Sequence, residues 1–268
     1  MAQLRIAITG CASGIGAEAA RILRESGAHV TGFDIFEPKS NVDTFVKIDL
    51  ADRASIDRAA AHVTDPFDAL CNIAGLPPKS GNSTAPRILS VNLMGLRRFT
   101  RAMLPKLAPG ASIVNMASRA GQRWRENIEQ VKTLLALDDD ADMAAFCAAH
   151  AIDVVRAYDL SKEAVIVWTI SQTEALLRRQ LRMNTISPGA IETGIMADFI
   201  AAFGERATRQ IARAGRPDSA TEVAEVAAFL ASPQSHWIKG TDVIVDGGKS
   251  AFAASDVLGL GAAGIKGM

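Results

Sequence analysis

Short apolar runs rich in valine and isoleucine alternate along the chain with longer stretches whose apolar residues recur at helical spacing. Such a short run bounded by turn residues is typical of a buried strand, and the longer pattern is typical of an amphipathic helix. Strands that alternate with helices form right-handed βαβ units and a parallel sheet covered on both faces. The predicted strands span residues 4–9, 29–34, 45–49, 69–72, 112–118, 182–186 and 242–245, and the predicted helices span residues 17–26, 54–63, 92–107 and 221–231. The pattern therefore predicts a single α/β domain over residues 1–248, with a doubly wound parallel sheet of about seven strands and helices on both faces.

Two segments lie outside this alternation. Residues 119–156, which follow the fifth strand, contain helix-like stretches at 125–137 and 143–150 around the aspartates 138–140. Residues 249–268 form a small-residue, apolar, glycine-rich tail. The pattern leaves two alternatives for this tail: a loosely ordered terminus, or a segment that packs on the subunit or on a neighbouring one.

The charge balance narrows the range of partners. The 268 residues include 29 Lys and Arg and 29 Asp and Glu, which leaves no net charge. A nucleic acid or an anionic membrane would favour a basic excess, so neither partner is expected. No apolar run approaches the ~18 residues that a membrane span needs. The first ten residues run directly into the first predicted strand, which leaves no room for a signal peptide.

The cysteines and histidines do not form a recognisable site. Cys11, Cys71 and Cys147 are scattered and include no C-x-x-C pair. Reduced thiols of this kind are typical of a cytoplasmic protein, which is the predicted location. The four histidines are isolated in the sequence, so no metal site is predicted.

The turn between the first strand and the first helix has the sequence TGCASGIG, with glycines at Gly10, Gly14 and Gly16. Glycines at such a turn let the backbone approach a pyrophosphate closely, and the helix N-terminus that follows offers free N–H groups and a positive dipole end. A sharp turn that binds nothing is the alternative. The spacing T-G-x-x-x-G-x-G at the first βα turn is more specific than a lone glycine-rich turn, and it favours a nucleotide.

Asp34 ends the second predicted strand, 20 residues after Gly14. A carboxylate at this position can accept hydrogen bonds from both hydroxyls of an adenosine ribose, and it would repel a 2′-phosphate. Neither the glycine loop nor the two positions after Asp34 hold an Arg or Lys for that phosphate, and Lys39 lies too far along. These residues predict NAD rather than NADP, with an ordinary solvated aspartate as the alternative. Asp49, at the end of the third strand, either reaches the adenine or forms a turn.

Seven motifs occur in one order from Leu4 to Gly248. They are TGCASGIG (9–16), CNIAG (71–75), VN (91–92), Ser118, YDLSK (158–162), SPGAIET (187–193) and VDGG (245–248). Each motif alone is weak, but in this order they resemble the motifs of the short-chain dehydrogenase/reductase family. The resemblance implies a Rossmann fold, hydride transfer between NAD and a small-molecule alcohol or carbonyl substrate, and a homodimer or homotetramer.

Asn92, Ser118, Tyr158 and Lys162 are the candidate catalytic residues. Tyr158 and Lys162 are four residues apart and therefore share one helix face, where an ammonium would lower the pKa of the phenol from ~10 toward the working pH. Tyr158 could then exchange a proton with the substrate oxygen. The resemblance implies that Ser118 hydrogen-bonds the reacting oxygen, that Lys162 also holds the nicotinamide ribose, and that Asn92 holds a water linking Lys162 to solvent. Taken singly, each residue could equally serve packing, capping or solvation.

The resemblance also supplies candidate cofactor contacts, most of them in the loops that follow the strands. They are Gly10, Ser13, Gly14, Ile15, Gly16, Asp34, Asp49, Leu50, Asn72, Ala74, Gly75, Tyr158, Lys162, Pro188, Gly189, Ile191 and Thr193. Pro188 and Gly189 would form a rigid turn against the nicotinamide, and Ile191 and Thr193 would contact its carboxamide and the phosphates. Residues 194–215 would be a mobile substrate lid or an amphipathic surface helix.

The spacing departs from the family pattern at one place. Ser118 and Tyr158 are 40 residues apart, far more than in ordinary members, so residues 119–156 carry an insertion. The insertion, together with GCASGIG and NTISPGAIET, resembles the branch that contains 3α-hydroxysteroid dehydrogenase/carbonyl reductase. The stretches LCNIAG, EAVIVW, RMN and WIKG resemble the bacterial coniferyl-alcohol dehydrogenase branch more closely.

Both branches act on an alcohol attached to an apolar ring system. The predicted substrate is therefore a ring-bearing hydrophobic alcohol of the coniferyl kind, with a steroid or general carbonyl substrate as the alternative. A non-catalytic NAD(H)-sensing protein is the alternative from another class, although the intact catalytic set favours an enzyme. In the usual family tetramer the helices beside this insertion contact a neighbour, so the insertion could block that interface and leave a dimer, or cover the substrate cleft.

Overall fold

The structure, a computed structural model, describes residues 3–64, 66–78, 83–191 and 212–260. Within these ranges seven parallel strands form one sheet in the order β3-β2-β1-β4-β5-β6-β7. The strands are β1 (Arg5–Thr9), β2 (His29–Asp34), β3 (Thr44–Lys47), β4 (Phe67–Asn72), β5 (Leu107–Met116), β6 (Arg182–Pro188) and β7 (Asp242–Val245). Each predicted strand overlaps an observed one, and the predicted doubly wound parallel sheet is confirmed.

Helices cover both faces of the sheet. They are α1 (Gly14–Glu25), α2 (Arg53–His62), α3 (Ala85–Leu89), α4 (Leu96–Met103), α5 (Ile128–Leu135), α6 (Met143–Ala149), α7 (Val154–Leu177), α8 (Ala220–Ala231) and α9 (Lys249–Leu258). On one face α1 and α8 pack together over Ile6 and Ile8, and on the other face α2, α4 and α7 pack over Ala7 and Phe33. Consecutive buried residues in β1 are what a parallel sheet between two helical layers requires.

The helical stretch before β5 differs from its prediction. The sequence predicts one helix over residues 92–107, whereas the stretch begins at Ala85, after the capping residue Thr84, and carries a proline in its first turn. Between α3 and α4, residues Ser90–Gly95 form a π-helical turn, and Asn92 lies inside it. Leu107 already belongs to β5. π-helical turns are frequent at functional sites, and this one places Asn92 beside the loop that follows β4.

Residues 119–156, the predicted insertion, form a 3₁₀ turn (Arg119–Arg123) after β5, followed by α5 and α6. Val131, Leu134 and Phe146 are buried in the larger apolar core, so the insertion is part of the domain. α5 packs on α7 and α6 packs on α3.

The loop between α5 and α6 is attached to α4 by ion pairs. Asp139 pairs with Arg97, whose Nε lies 3.0 Å from its Oδ1, and with Arg101. Asp140 accepts a hydrogen bond of 2.8 Å from Arg98. Arg97 is buried, and that burial lowers the pKa of its guanidinium. Asp139 and Asp140 therefore provide the negative charges that cover the arginine-bearing face of α4.

The predicted tail is ordered where the structure describes it. Residues 249–258 form α9, which begins after Gly248 in the left-handed region (φ 82°). Asp246 caps the helix by accepting hydrogen bonds from the backbone N–H groups of Gly248 (3.1 Å) and Ser250 (2.7 Å). Lys249 is buried. A loosely ordered terminus is thus wrong for residues 249–258, which begin by packing on the subunit.

Candidate active site

In the turn between β1 and α1, glycines occupy positions where two backbone segments pack directly against each other. Gly10 has φ +77°, and a β-carbon on it would lie 2.8 Å from the backbone nitrogen of Ala74. A β-carbon on Gly16 would lie 2.0 Å from the carbonyl oxygen of Gly10, so the first turn of α1 rests directly on the loop. Ser13 precedes α1 but does not cap it with its side chain. The N-terminus of α1 can therefore accept an anion.

Asp34 joins the end of β2 to this loop. Its carboxylate accepts hydrogen bonds from the backbone N–H groups of Ala12 (3.0 Å) and Phe36 (3.1 Å). Ile35 and Phe36 follow it and are 40% and 72% exposed, unusually high for large apolar side chains. The Asp34 carboxylate is thus followed by two exposed apolar side chains.

A cleft of about 440 Å³ lies above the carboxyl ends of the strands, and it collects most of the predicted site residues. The predicted residues that line it are Gly10, Ser13, Gly14, Ile15, Gly16, Asp34, Asp49, Leu50, Ala74, Gly75, Ser118, Tyr158, Lys162, Pro188, Gly189 and Ile191. Asn72 and Asn92 do not line it, and Thr193 and most of the predicted lid lie outside the described residues.

The prediction missed several residues of this cleft. They are Phe33, Ile35, Phe36, Ile48, Ile73, Leu76, Pro77, Arg87, Val91, Met116 and Ala117. Most of them are next to a predicted contact in the sequence. Their position at the end of a predicted strand could therefore have identified them. Arg87 lacked any such signal because it lies on α3, which the sequence analysis did not predict. Its Nη2 lies 3.8 Å from Oδ2 of Asp49.

Ser118 and Tyr158 meet inside the cleft. Both side chains are buried, and the Tyr158 side chain is hydrogen-bonded to that of Ser118. Burial raises the pKa of Tyr158 to about 12, and the bond from Ser118 offsets only part of this rise. The expected lowering of this pKa is therefore wrong for the chain by itself, because burial of the phenol dominates and the negative charge of Asp159 adds to the rise.

Lys162 lies one helical turn further along α7 and is also buried. Its Nζ lies 5.7 Å from the centre of the Tyr158 ring and donates a hydrogen bond of 2.8 Å to the carbonyl oxygen of Met116. Burial lowers the pKa of Lys162 to about 8. The amine can therefore gain or lose a proton near neutral pH, beside the phenol and facing the cleft.

Asn92 holds the wall of the cleft. Its Oδ1 accepts a hydrogen bond of 2.7 Å from the backbone N–H of Leu76, and its Nδ2 donates to the Leu76 carbonyl (3.0 Å) and to Ser161 Oγ (3.2 Å). Ser161 in turn donates to the carbonyl of Tyr158 at 2.7 Å. Asn92 therefore joins the loop after β4 to the helix that carries Tyr158 and Lys162.

Asn72 lies one layer below the cleft. Its Nδ2 donates to Thr100 Oγ1 (2.9 Å) and to Asn115 Oδ1 (2.8 Å), and Asn115 donates to Thr169 Oγ1 at 3.0 Å. All four side chains are buried. This arrangement joins β4 and β5 to α4 and α7, and it supports the cleft from underneath.

Three other features bear on the site. Among residues 3–64, 66–78, 83–191 and 212–260, no three His, Cys, Asp or Glu side chains are grouped to hold a metal ion. Within the same part of the chain, no helix is both long and apolar enough to cross a membrane. No described residue of the insertion lines the cleft, so the alternative in which the insertion covers the cleft is not observed.

The cleft fits a dinucleotide on its own geometry. The glycines let the loop pack directly on the backbone of its neighbours, and the loop and the first turn of α1 line the cleft. Asp34 stands at one end of the cleft, and the buried Ser118, Tyr158 and Lys162 line it with the loop that follows β6. An anion-binding turn joined to a buried proton-transfer group defines a dinucleotide-dependent oxidoreductase.

Comparison with known families identifies the class more closely. Residues 5–129 match the profile described as short chain dehydrogenase, and residues 142–250 match one described as enoyl-(acyl carrier protein) reductase. Residues 130–141, in the insertion, lie between the two matches. The chain belongs to the short-chain dehydrogenase/reductase family, and it is an oxidoreductase with a nicotinamide cofactor.

Similar proteins include two characterised branches of this family. The chain is 38% identical to coniferyl-alcohol dehydrogenase of Pseudomonas sp. (strain HR199), across 91% of this chain and 95% of that protein. It is 30% identical to 3-alpha-hydroxysteroid dehydrogenase/carbonyl reductase of Comamonas testosteroni, across 91% and 95%. The crystal structure of 3-alpha-hydroxysteroid dehydrogenase from Pseudomonas sp. B-0831 complexed with NADH superposes with a TM-score of 0.81 at 30% identity, across 94% and 98% of the two chains.

Lys162→Met is expected to remove part of the rise of stability with pH. The pKa of Lys162 is about 8 in the folded chain, below its ordinary value of 10.5. Below pH 8 the amine is charged in both states, so the cost of burying the charge is fully present. Between these two values the unfolded chain binds more protons, so stability rises with pH. The melting temperature of the wild type minus that of Lys162→Met should therefore increase from pH 8 to pH 10.5.

Lys47→Met is the matched control, because Lys47 is exposed on β3. The difference in melting temperature between the wild type and this variant should stay flat across the same pH range. A flat or falling difference for Lys162→Met would contradict the burial of a charged amine.

Proposed function

We propose that the protein is an NAD-dependent alcohol dehydrogenase that interconverts a ring-bearing hydrophobic alcohol and its carbonyl compound. The observation that carries the proposal is the buried pair Ser118 and Tyr158, hydrogen-bonded to each other in the cleft that also holds the glycine loop and Asp34. NAD, when bound, supplies the hydride chemistry, and the residues of the chain handle binding, orientation and the proton.

Tyr158 is the acid and base of the proposal. In alcohol oxidation its phenolate takes the hydroxyl proton of the substrate, and in carbonyl reduction its phenol returns that proton. Ser118 hydrogen-bonds the same substrate oxygen and stabilises the charge that develops there. Because burial raises the pKa of Tyr158 to about 12, the phenol is ready to donate at neutral pH. Oxidation, which needs the phenolate, should become faster as the pH rises.

Lys162 and Asn92 support this proton transfer. Lys162 lies beside the Tyr158 ring, and in its charged form it favours the phenolate. We assign to Lys162 the hydroxyl groups of the nicotinamide ribose as well. Asn92 fixes the distance between the loop at Leu76 and the helix that carries both residues, and we retain it as a member of the catalytic set.

The proposed preference for NAD rests on the adenosine end of the cleft. Asp34 offers a carboxylate to the ribose hydroxyls, and the side chains that follow it, Ile35 and Phe36, carry no charge that could hold a 2′-phosphate. Arg87 also lines the cleft, but its guanidinium lies 3.8 Å from the Asp49 carboxylate, which balances its charge.

The proposed substrate class rests on the apolar character of the cleft and on the relatives. Leu76, Pro77 and Met116 line the cleft together with Ser118 and Tyr158. The relative with 38% identity is a coniferyl-alcohol dehydrogenase, which favours an aromatic allylic alcohol. A 3α-hydroxysteroid is the second candidate, because two similar proteins at 30% identity act on that class by name.

We also propose that the protein is a cytoplasmic homodimer. The three cysteines are free and buried, as suits a reducing compartment. The insertion covers α4 through Asp139 and Asp140, and α4 belongs to the region that contacts a neighbour in the usual family tetramer. A covered α4 leaves one pairing surface fewer, which favours a dimer.

Turnover with three alcohols is the first test of the proposed function. NADH formation should be fastest with coniferyl alcohol, compared with a 3α-hydroxysteroid and a simple secondary alcohol. Tyr158→Phe should lower kcat by about 10²–10⁴-fold, because it removes the proton-transfer group and keeps the ring. Its melting temperature and NADH affinity should stay near those of the wild type. Full activity of Tyr158→Phe would exclude Tyr158 as the acid and base, and faster turnover of the steroid would select the second substrate class.

Asp34→Asn tests the preference for NAD. The wild type should use NAD far better than NADP, and the variant should lose about 10–100-fold in kcat/KM for NAD, since hydrogen bonds to a charged group contribute about 1.5–3 kcal/mol. Glu37→Gln, three residues further on and exposed, is the matched control and should keep the wild-type preference. A wild type that prefers NADP would overturn the role assigned to Asp34.

The size of the assembly tests the proposed dimer. Light scattering during gel filtration should give about twice the mass of the 28.3 kDa chain. The double variant Asp139→Asn/Asp140→Asn, which weakens the attachment of the insertion to α4, should shift part of the protein toward larger assemblies. A wild type with four times the chain mass would contradict the proposal.

A further inference from the structure

A buried ion pair lies behind one wall of the cleft. Lys249 Nζ lies 2.6 Å from Asp218 Oδ1, and the two side chains are only 1% and 8% exposed. Lys249 is the first residue of α9, and Asp218 lies just before α8. The pair therefore joins the C-terminal helix to the interior of the domain.

Asp218 is in direct contact with the loop that follows β6. Its backbone N–H donates a hydrogen bond of 2.9 Å to the carbonyl of Ala190, and it forms an isolated parallel bridge with Ile191. A β-carbon on Gly189 would lie 2.2 Å from Asp218 Oδ2. The carboxylate thus fills the space behind Gly189, and both Gly189 and Ile191 line the cleft.

Gly189 also contacts Val245 and Asp246, at the end of β7. Its backbone N–H donates to the carbonyl of Val245 at 3.0 Å, and a β-carbon on it would lie 3.1 Å from Cβ of Asp246. Asp246 in turn lies 3.4 Å from Nε of Arg119, which directly follows Ser118. The loop after β6 therefore rests on two buried carboxylates, and Lys249 pairs with Asp218.

The burial of this ion pair makes the loss of either member alone costly. Burial raises the pKa of Asp218, the ammonium of Lys249 opposes that rise, and the neighbouring carboxylates Asp246 and Glu222 add to it. Within the described residues Asp218 Oδ2 has no hydrogen-bond partner. Removing one member of a buried pair leaves an uncompensated charge, whereas replacing both members by neutral groups is often tolerated.

We propose that Lys249 and Asp218 are positioning residues for the cofactor: their ion pair holds Gly189–Ile191 in place and thereby sets the affinity of the cleft for the nicotinamide dinucleotide. This inference rests on the proposed function and on the contact with the nicotinamide that the family resemblance implies for Pro188 and Gly189. It makes the start of the C-terminal helix part of the active-site support.

The test compares variants that unbalance the pair with one that removes it. Lys249→Met leaves the buried carboxylate unpaired and should raise the Kd for NADH by about tenfold or more. Interaction energies between residues in contact are commonly large enough for such an effect. The double variant Lys249→Met/Asp218→Asn should return the Kd to within about threefold of the wild type. Lys249→Arg, which keeps the charge, should behave like the double variant. Binding is measured by titration calorimetry, without turnover.

Hydrogen–deuterium exchange separates positioning from general stability. In Lys249→Met the peptide that covers residues 188–191 should exchange faster, while β1 and α7 keep their wild-type protection. Asp256→Asn is the matched control, because Asp256 lies on the same helix in an exposed pair with Arg213, and it should change neither measurement. If Lys249→Met does not fold, Asp218→Asn supplies the same comparison with an unpaired ammonium.

The outcomes distinguish this inference from the proposed function. A wild type that binds NADH with an affinity unchanged in Lys249→Met overturns the inference alone. Uniformly faster exchange over the whole chain also overturns it, because the pair would then be merely stabilising. A wild type that binds neither NADH nor NADPH overturns the proposed function, and the inference falls with it.

Discussion

The contact between Gly16 and the carbonyl of Gly10 is the constraint on which the active site depends. With no side chain between them, α1 starts directly above the end of β1. That end is also fastened to the next strand, because Thr9 Oγ1 accepts hydrogen bonds from the backbone N–H groups of Ile73 (3.1 Å) and Ala74 (3.2 Å). The cleft is the space left above these strand ends, and the residues that end or follow β2, β3, β4, β5 and β6 form its walls.

Much of the fold and of the candidate site could be predicted because it depends on local pattern. β2 begins and ends where its apolar run does, and Asp34 stands at that end. The π-helical turn could not be predicted, since it depends on tertiary contact: a β-carbon on Gly95 would lie 2.1 Å from the carbonyl of Leu50. α9 could not be predicted from the sequence for a similar reason. Its small apolar residues show no clear period, and its start depends on the pairing of Lys249 with the distant Asp218.

The electrostatics of Tyr158 and Lys162 show what spacing leaves open. Four residues of separation were enough to place both side chains on one helix face, and the structure agrees. The spacing could not predict how deeply the two side chains are buried. Burial moves the two pKa values apart, with the phenol raised to about 12 and the amine lowered to about 8. Both groups are therefore neutral over part of the alkaline range, and an ionised pair forms only when binding supplies further charge or polarity.

The π-helical turn at Ser90–Gly95 limits how this gene can vary. A π-helical turn holds one residue more than the α-helical turn it replaces. Losing one codon there would let a regular helix run through from α3 to α4 with its two halves still in register. The buried Phe99 and Met103 could keep their places, whereas the wide turn that carries Asn92 would be lost. The length of this stretch is therefore constrained through the active site rather than through the core.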